Sequence, residues 1–103
     1  MPIVRMSVWE PLPGKEKDVE KLIDQLGQYH AELPGHVMGL RFHTVGREHL
    51  CGRLSIWNSV EDANHAASLT HTAALRSQIR FACASDEERL YEIQGPIHGA
   101  LHL

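Results

Sequence analysis

Eight histidines in 103 residues, at positions 30, 36, 43, 49, 65, 71, 98 and 102, are the first feature that could carry chemistry. An imidazole can take and return a proton near neutral pH and can also ligate metals. A metal site needs ligands at short, repeated spacing. Only His98 and His102 stand four apart, in a tail opened by Gly95-Pro96, and Cys51 and Cys83 form no CxxC, so metal ligation rests on composition alone and no metal is expected. Two cysteines are too few for a disulfide framework, and reduced thiols are the default. A second set is Arg5, Arg41 and Arg53, interleaved with Ser7, Trp9, His43, Ser55 and Trp57. Guanidinium forks bind carboxylates and enolates. His43 beside Arg41 and Arg53 could act as a base, and the serines could hydrogen-bond a ligand. Intersubunit ion pairs, or pairing with Glu10, Glu88 or Glu92, are alternatives for the arginines. Nucleophilic catalysis lacks a Gly-x-Ser-x-Gly elbow, and Cys51 has no evident base. No glycine loop for phosphate occurs either.

The elements that must position these residues follow from hydrophobic period. Residues 3–10 alternate, which predicts a strand, stopped by Pro11, Pro13 and Gly14. From Lys15 the period becomes helical, with Val19, Leu22, Ile23, Leu26, His30 and Leu33 on one stripe of about five turns, ended by Pro34-Gly35. Strands over 37–45 and 49–57 form a hairpin around Gly46-Arg47-Glu48. Ser59 with Asp62 resembles a capping box and opens a second helix, with Thr70 capping a continuation through Ala74, Leu75 and Ile79. Residues 81–86 read as a loop and 88–94 as the last strand. The order strand, helix, strand, strand, helix, strand is the ferredoxin-like split arrangement, an α+β fold with one antiparallel four-stranded sheet.

Both helices then lie on one side of the sheet. Val4, Met6, Val8, Leu40, Phe42, Leu54 and Ile56 are the expected helix-facing set. The opposite face carries Ile3, Arg5, Ser7, Trp9, Arg41, His43, Cys51, Arg53, Ser55 and Trp57. Two indoles on a bare face would leave roughly 2–3 kcal/mol each unrealised. A second copy is therefore expected to cover them, enclosing a half-apolar ligand chamber between two sheets.

Composition narrows the class. Ten Lys+Arg against thirteen Asp+Glu leave a net charge of −3, which lacks the basic stripe of nucleic-acid binders. At 43% hydrophobic and 22% charged the chain reads as one globular domain, with a core over 2–94 and a tail over 95–103. No apolar run reaches the roughly 20 residues of a membrane span. No signal peptide is evident at Met1-Pro2-Ile3-Val4-Arg5, so a cytoplasmic location is expected.

Several motifs together resemble the antibiotic biosynthesis monooxygenase family of the dimeric α+β barrel superfamily. They are Pro13-Gly14-Lys15-Glu16 at a helix start, Leu33-Pro34-Gly35 leading to Gly39, Trp57-Asn58-Ser59, and Ser68-Leu69-Thr70-His71-Thr72-Ala73. The match covers roughly residues 2–94, and its most specific piece is the Trp-x-Ser box with His71 fourteen residues beyond the tryptophan. The resemblance implies a homodimer with a pocket in each subunit, between helices and sheet or extending into the lumen. It also implies oxidation of a phenolic or quinol-type compound by molecular oxygen without metal or flavin. On that reading His71 is the first candidate base and His43 the alternative. Arg5, Ser7, Trp9, Arg41, Arg53, Ser55 and Trp57 would contact substrate. In the haem-degrading branch the asparagine, pocket tryptophan and iron-ligand histidine would fall at Ser7, Ala66 and Leu75, all changed here. His65 stands one residue before a position that is histidine in many relatives, about 100° away around a helix. A non-catalytic ligand-binding or stress-response barrel and a haem protein with atypical ligands at His65 or His71 are the alternative functions.

Overall fold

The computed structural model describes residues 1–46, 49–96, 98 and 99. Its elements are β1 (Ile3–Pro11), α1 (Glu16–Ala31), β2 (His36–His43), β3 (Cys51–Trp57), α2 (Val60–Ser68), α3 (Thr70–Phe81) and β4 (Cys83–Glu92). The strands form one antiparallel sheet in the order β2-β3-β1-β4. This is the ferredoxin-like α+β architecture, with the second helical region divided in two.

Helix α1 forms where the sequence period changes, and it buries Val19, Ile23, Leu26 and His30 along one stripe. Gly35 turns the chain into β2 at φ +81°, a backbone that costs glycine little. Ser59 caps α2 as its spacing implies, its Oγ accepting from the Asp62 backbone N–H at 3.1 Å. Thr70 does not cap α3. It is the first helical residue, and Leu69 precedes it without a side-chain cap. The expected loop over 81–86 is also corrected. Helix α3 runs to Phe81 and β4 starts at Cys83, paired with β1 through Pro11↔Cys83 and Glu10↔Ser85. Backbone pairing to a neighbouring strand outweighs the low strand propensity of Asp86, Glu87 and Glu88.

The faces of the sheet are the reverse of the sequence expectation. Ile3, Arg5, Ser7 and Trp9 are buried against the helices, as are Cys51, Arg53, Ser55 and Trp57. Val4, Met6, Val8, Leu54 and Ile56 lie on the averted side and are only half-buried. Leu40 and Phe42 share that side, because they pair with Leu54 and Gly52. A period of two separates the residues into two sets but does not say which set the helices cover. Here both sets contain large apolar side chains.

On the covered face the strands are layered along their length. Trp9 and Cys51 join Val19, Ile23, Leu26, Leu75 and Ile79 in one apolar cluster. Ile3 and Trp57 join Ala63 and Ala66 in another. Between them the register sets Arg5 opposite Ser55 and Ser7 opposite Arg53. Helices α1 and α3 add His30 and Thr72, both buried. The fold therefore holds a polar belt inside its own core. No helix among the described residues is long and apolar enough to cross a membrane.

Candidate functional site

The belt has two ends with different chemistry. At the β4 end, Glu88 gathers three partners. Arg76 donates two N–H groups to its carboxylate, one of them at 3.1 Å. Ser7 donates its hydroxyl at 3.3 Å, and the Arg5 Nε lies 3.7 Å away. Arg5 also donates to the Asn64 side chain at 3.1 Å. Burial alone would raise the Glu88 carboxyl, but the Arg76 hydrogen bonds and charge, with Arg5, bring it below the ordinary carboxylate value. This end is a closed ion cluster joining β1, β4, α2 and α3. Of the alternatives for Arg5, pairing with Glu88 is the one the structure realises.

The other end is open. Arg53 is 6% exposed, and its Nη2 lies 3.4 Å from His36 Nε2. Its guanidinium passes between two glycines. A Cβ at Gly27 of α1 would stand 3.2 Å from Arg53 Nε, and one at Gly39 of β2 only 2.7 Å from Arg53 Nη2. Trp57 donates its indole N–H to Ser55 Oγ at 3.0 Å. The His36 and His30 rings meet the indole edge-on, with centroids 5.0 and 5.5 Å away. A cleft of about 360 Å³ opens here between α1 and β2, lined by Ile23, Asp24, Gly27, Gln28, Ala31, His36, Gly39, Leu40, Arg41 and Arg53.

Burial and the neighbouring cations lower the titration of these groups. His30 is held down to about 3 by burial first, then by Arg53, Arg76, His36 and Arg5. Its Nε2 is 3.0 Å from Thr72 Oγ1, whereas its buried Nδ1 has no hydrogen-bond partner among the described residues. His36 is lowered by burial and then by Arg53. Arg53 is lowered to about 10 by burial and then Arg76, and stays charged at neutral pH. Two imidazoles thus flank Trp57, and one of them, His36, stands beside the buried Arg53 cation.

The structure brings Arg5, Ser7, Arg53, Ser55 and Trp57 together in the belt, inside one subunit rather than between two. The chamber expected between the Trp-bearing faces of two sheets is therefore corrected, since both indoles pack under the helices. Trp9 closes one apolar end. Arg41 lines the Arg53 cleft, 2.9 Å from Asp24 and 3.6 Å from Glu20. His43 lines a separate cleft of about 470 Å³ with Glu16, Glu20, His49 and Cys51. His71 is exposed on α3, edge-on to Tyr29 at 4.5 Å, away from the residues lining the Arg53 cleft. Leu75 lies in the core and Ala66 is buried. Among the described residues no three of His, Cys, Asp and Glu gather as a metal site. His30 and His36 did not stand out among eight histidines. The legible signal was His30 itself, the one polar residue in the apolar stripe of α1, which requires a polar partner inside the core.

The whole arrangement superimposes on a variant of SnoaB, a cofactor-independent oxygenase from Streptomyces nogalater, with a TM-score of 0.85 over 95% of this chain and 98% of that one, at 11% identity. The fold is that of the antibiotic biosynthesis monooxygenases. A candidate antibiotic biosynthesis monooxygenase from Nitrosomonas europaea has a TM-score of 0.83 over 92% of each chain, also at 11% identity. Rv0793 from Mycobacterium tuberculosis has a TM-score of 0.84 at 10% identity, covering 93% of this chain and 98% of that one. No protein-family model matches the sequence, and no curated protein matches it significantly. The likeness to the monooxygenase structures is one of fold.

Proposed function

We propose that the protein is a cofactor-independent monooxygenase acting on a small phenolic or quinol-type compound bound in the cleft between α1 and β2. The observation that carries this reading is His36 beside Arg53 at the cleft wall, with His36 Nε2 3.4 Å from Arg53 Nη2. Such chemistry needs a phenol or enol turned into its electron-rich anion, because the anion reacts with oxygen. His36 is placed to accept the proton, and Arg53 to stabilise the developing oxyanion. The cation that makes His36 a weaker base also makes a phenol lying against it a stronger acid, so the transfer stays matched. For an anthrone the balance is one CH₂ and one O₂ giving one C=O and one water, with all four electrons from the carbon. No metal or flavin enters. On this reading His36 takes the base role expected of His71 or His43 and Arg53 contacts the substrate, while Ser55 and Trp57 lie buried behind the cleft lining.

The second part of the proposal is a homodimer formed through the averted sheet face. Val4, Met6, Val8, Met38, Leu40, Phe42, Leu54 and Ile56 make it apolar across three strands. With strands about 4.8 Å apart this is on the order of 300 Å² in projection, and more once side-chain relief is counted. Patches of that size mark interaction surfaces, and a matching sheet packed about 10 Å away would cover it.

Oxygen uptake with a panel of quinols and anthrones tests the activity. His36→Gln is expected to lower the rate by about 10²-fold or more, while His71→Ala keeps it. The acid limb of kcat/KM should lie below the ordinary histidine value near 6.5, since burial and Arg53 keep His36 unprotonated there. Equal rates for His36→Gln and the parent, or loss confined to His71→Ala, would return the base role to His71. No uptake across the panel favours a binding protein.

A further inference from the structure

Arg53 differs from the other described arginines in what balances its charge. Arg5, Arg41, Arg76, Arg80 and Arg89 each have a carboxylate within 4.0 Å. Among the described residues Arg53 has none, although it is as buried as Arg5, with 6% exposure against 8%. Among the described residues its one hydrogen-bonding side chain is a histidine. A buried charge is strongly unfavourable unless it is paired. The two glycines deepen the contrast. A side chain at either position would crowd the guanidinium, at 3.2 Å from Gly27 and 2.7 Å from Gly39. A side chain at Gly39 would oblige the guanidinium to shift from its present position, and one at Gly27 would crowd it. Sequence and geometry thus keep an uncompensated cation at the wall of a ligand-sized space, at the lower end of the roughly 300–1,000 Å³ usual for small molecules.

We propose that Arg53 is the anion-binding residue of this cleft and that the compound bound there is a flat aromatic acid, its carboxylate paired with the Arg53 guanidinium. The aromatic ring rests on the oxygenase reading; the carboxylate does not. A phenolate formed during turnover compensates the cation only transiently, whereas a carboxylate compensates it from the moment of binding. The planar guanidinium suits a carboxylate's two oxygens. His36 Nε2, 3.4 Å from the same guanidinium nitrogen, then faces a hydroxyl carried on the ring next to the acid. Arg41 is not an alternative anchor, because Asp24 and Glu20 already occupy it.

The test is binding of 2-naphthoate and its neutral isostere 2-naphthamide, titrated under argon and followed by calorimetry and tryptophan fluorescence. Neither probe carries a hydroxyl to oxidise, so turnover cannot contribute. The acid is expected to bind at least tenfold more tightly than the amide. Arg53→Gln should erase that preference while melting no lower than the parent in the absence of ligand, since it removes an unpaired buried charge. Gly39→Ala, which leaves the charge in place but displaces the fork, should weaken naphthoate binding more than naphthamide binding. Equal affinities of the parent for the two probes overturn the inference, and so does an undiminished acid preference in Arg53→Gln. Oxygen uptake from neutral quinols with no acid preference would leave the oxygenase reading standing alone. An acid preference without oxygen uptake would do the reverse.

Discussion

If the proposed homodimer forms, replacing Leu54 by lysine is expected to convert it from a dimer of about 23 kDa into a folded monomer of 11.6 kDa. Leu54 lies at the middle of the averted face, paired with Met6 on β1 and Leu40 on β2. It is only half-buried in a single subunit, so a lysine there can reach water and the subunit tolerates it. Between two packed sheets the same ammonium would be dehydrated and would face its own copy. The cost of dehydrating an ion is several kcal/mol, and two are introduced per dimer. A 2 kcal/mol loss already weakens association about thirtyfold, so the expected shift in the monomer–dimer constant exceeds 10³. Sedimentation velocity at a few micromolar measures it, with far-UV circular dichroism confirming the fold. A parent chain that sediments as a monomer at tens of micromolar removes the dimer, and a Leu54→Lys chain that sediments like a dimeric parent moves the interface elsewhere.

That prediction rests on the part of the sequence that was hardest to read. Helix α1, the β2–β3 hairpin and the Ser59 cap were legible because each has a local cause: a 3.6-residue stripe, a glycine between two alternating runs, and a hydroxyl three residues before an acceptor. The facing of the sheet has no such local cause. Strands β1 and β3 are central in the sheet, and both of their faces carry large apolar side chains. A strand covered on both sides does not show the apolar-in, polar-out rule from which facing is inferred. The apolar set Val4, Met6, Val8, Leu40, Phe42, Leu54 and Ile56 reads as the helix-facing one, so the tryptophans of the polar set read as needing a second copy to cover them. In fact they close the two ends of an internal polar belt. A stronger clue was the register, since Arg5 opposite Ser55 and Ser7 opposite Arg53 place four hydrogen-bonding side chains on one patch of two central strands.

The candidate site was partly legible for the same reason. Arg5, Ser7, Arg53, Ser55 and Trp57 stand out because they share one face of two paired strands. His36 does not, because its position depends on the irregularity between His36 and Met38. The resulting shift sets His36 opposite Trp57 and sends Met38, Leu40 and Phe42 to the averted side. An uninterrupted alternation through 37–45 hides that step. Gly27 was silent and Gly39 was noted only as part of a motif, since the purpose of both is visible only against the Arg53 side chain beside them.

The polar belt also makes stability depend on pH through His30, and the sign is determined. Its imidazole is 3% exposed and is held down to about 3 by burial and four neighbouring cationic or titratable groups, whereas an unfolded-chain histidine titrates near 6.5. Between these values the unfolded chain binds a proton that the folded chain refuses. The His30 contribution is therefore complete above pH 6.5 and is lost as pH falls, at about 1.4 kcal/mol per unit, or about 2 kcal/mol by pH 5. His36, lowered by burial and Arg53, adds loss of the same sign. Glu88 is lowered from its ordinary value of 4.5, so its stabilisation is lost only below that value. The interval from 6.5 to 4.5 thus isolates the histidines from this carboxylate. Urea unfolding at pH 7.0, 6.0 and 5.0, at one protein concentration, should show falling stability in the parent and a flatter profile in His30→Gln. The ring resonances of His30 should remain those of a neutral imidazole throughout. Equal stability of the parent at pH 7.0 and 5.0, or a His30 resonance titrating near 6.5, would show that the interior accepts a protonated His30 beside Arg53 and Arg5.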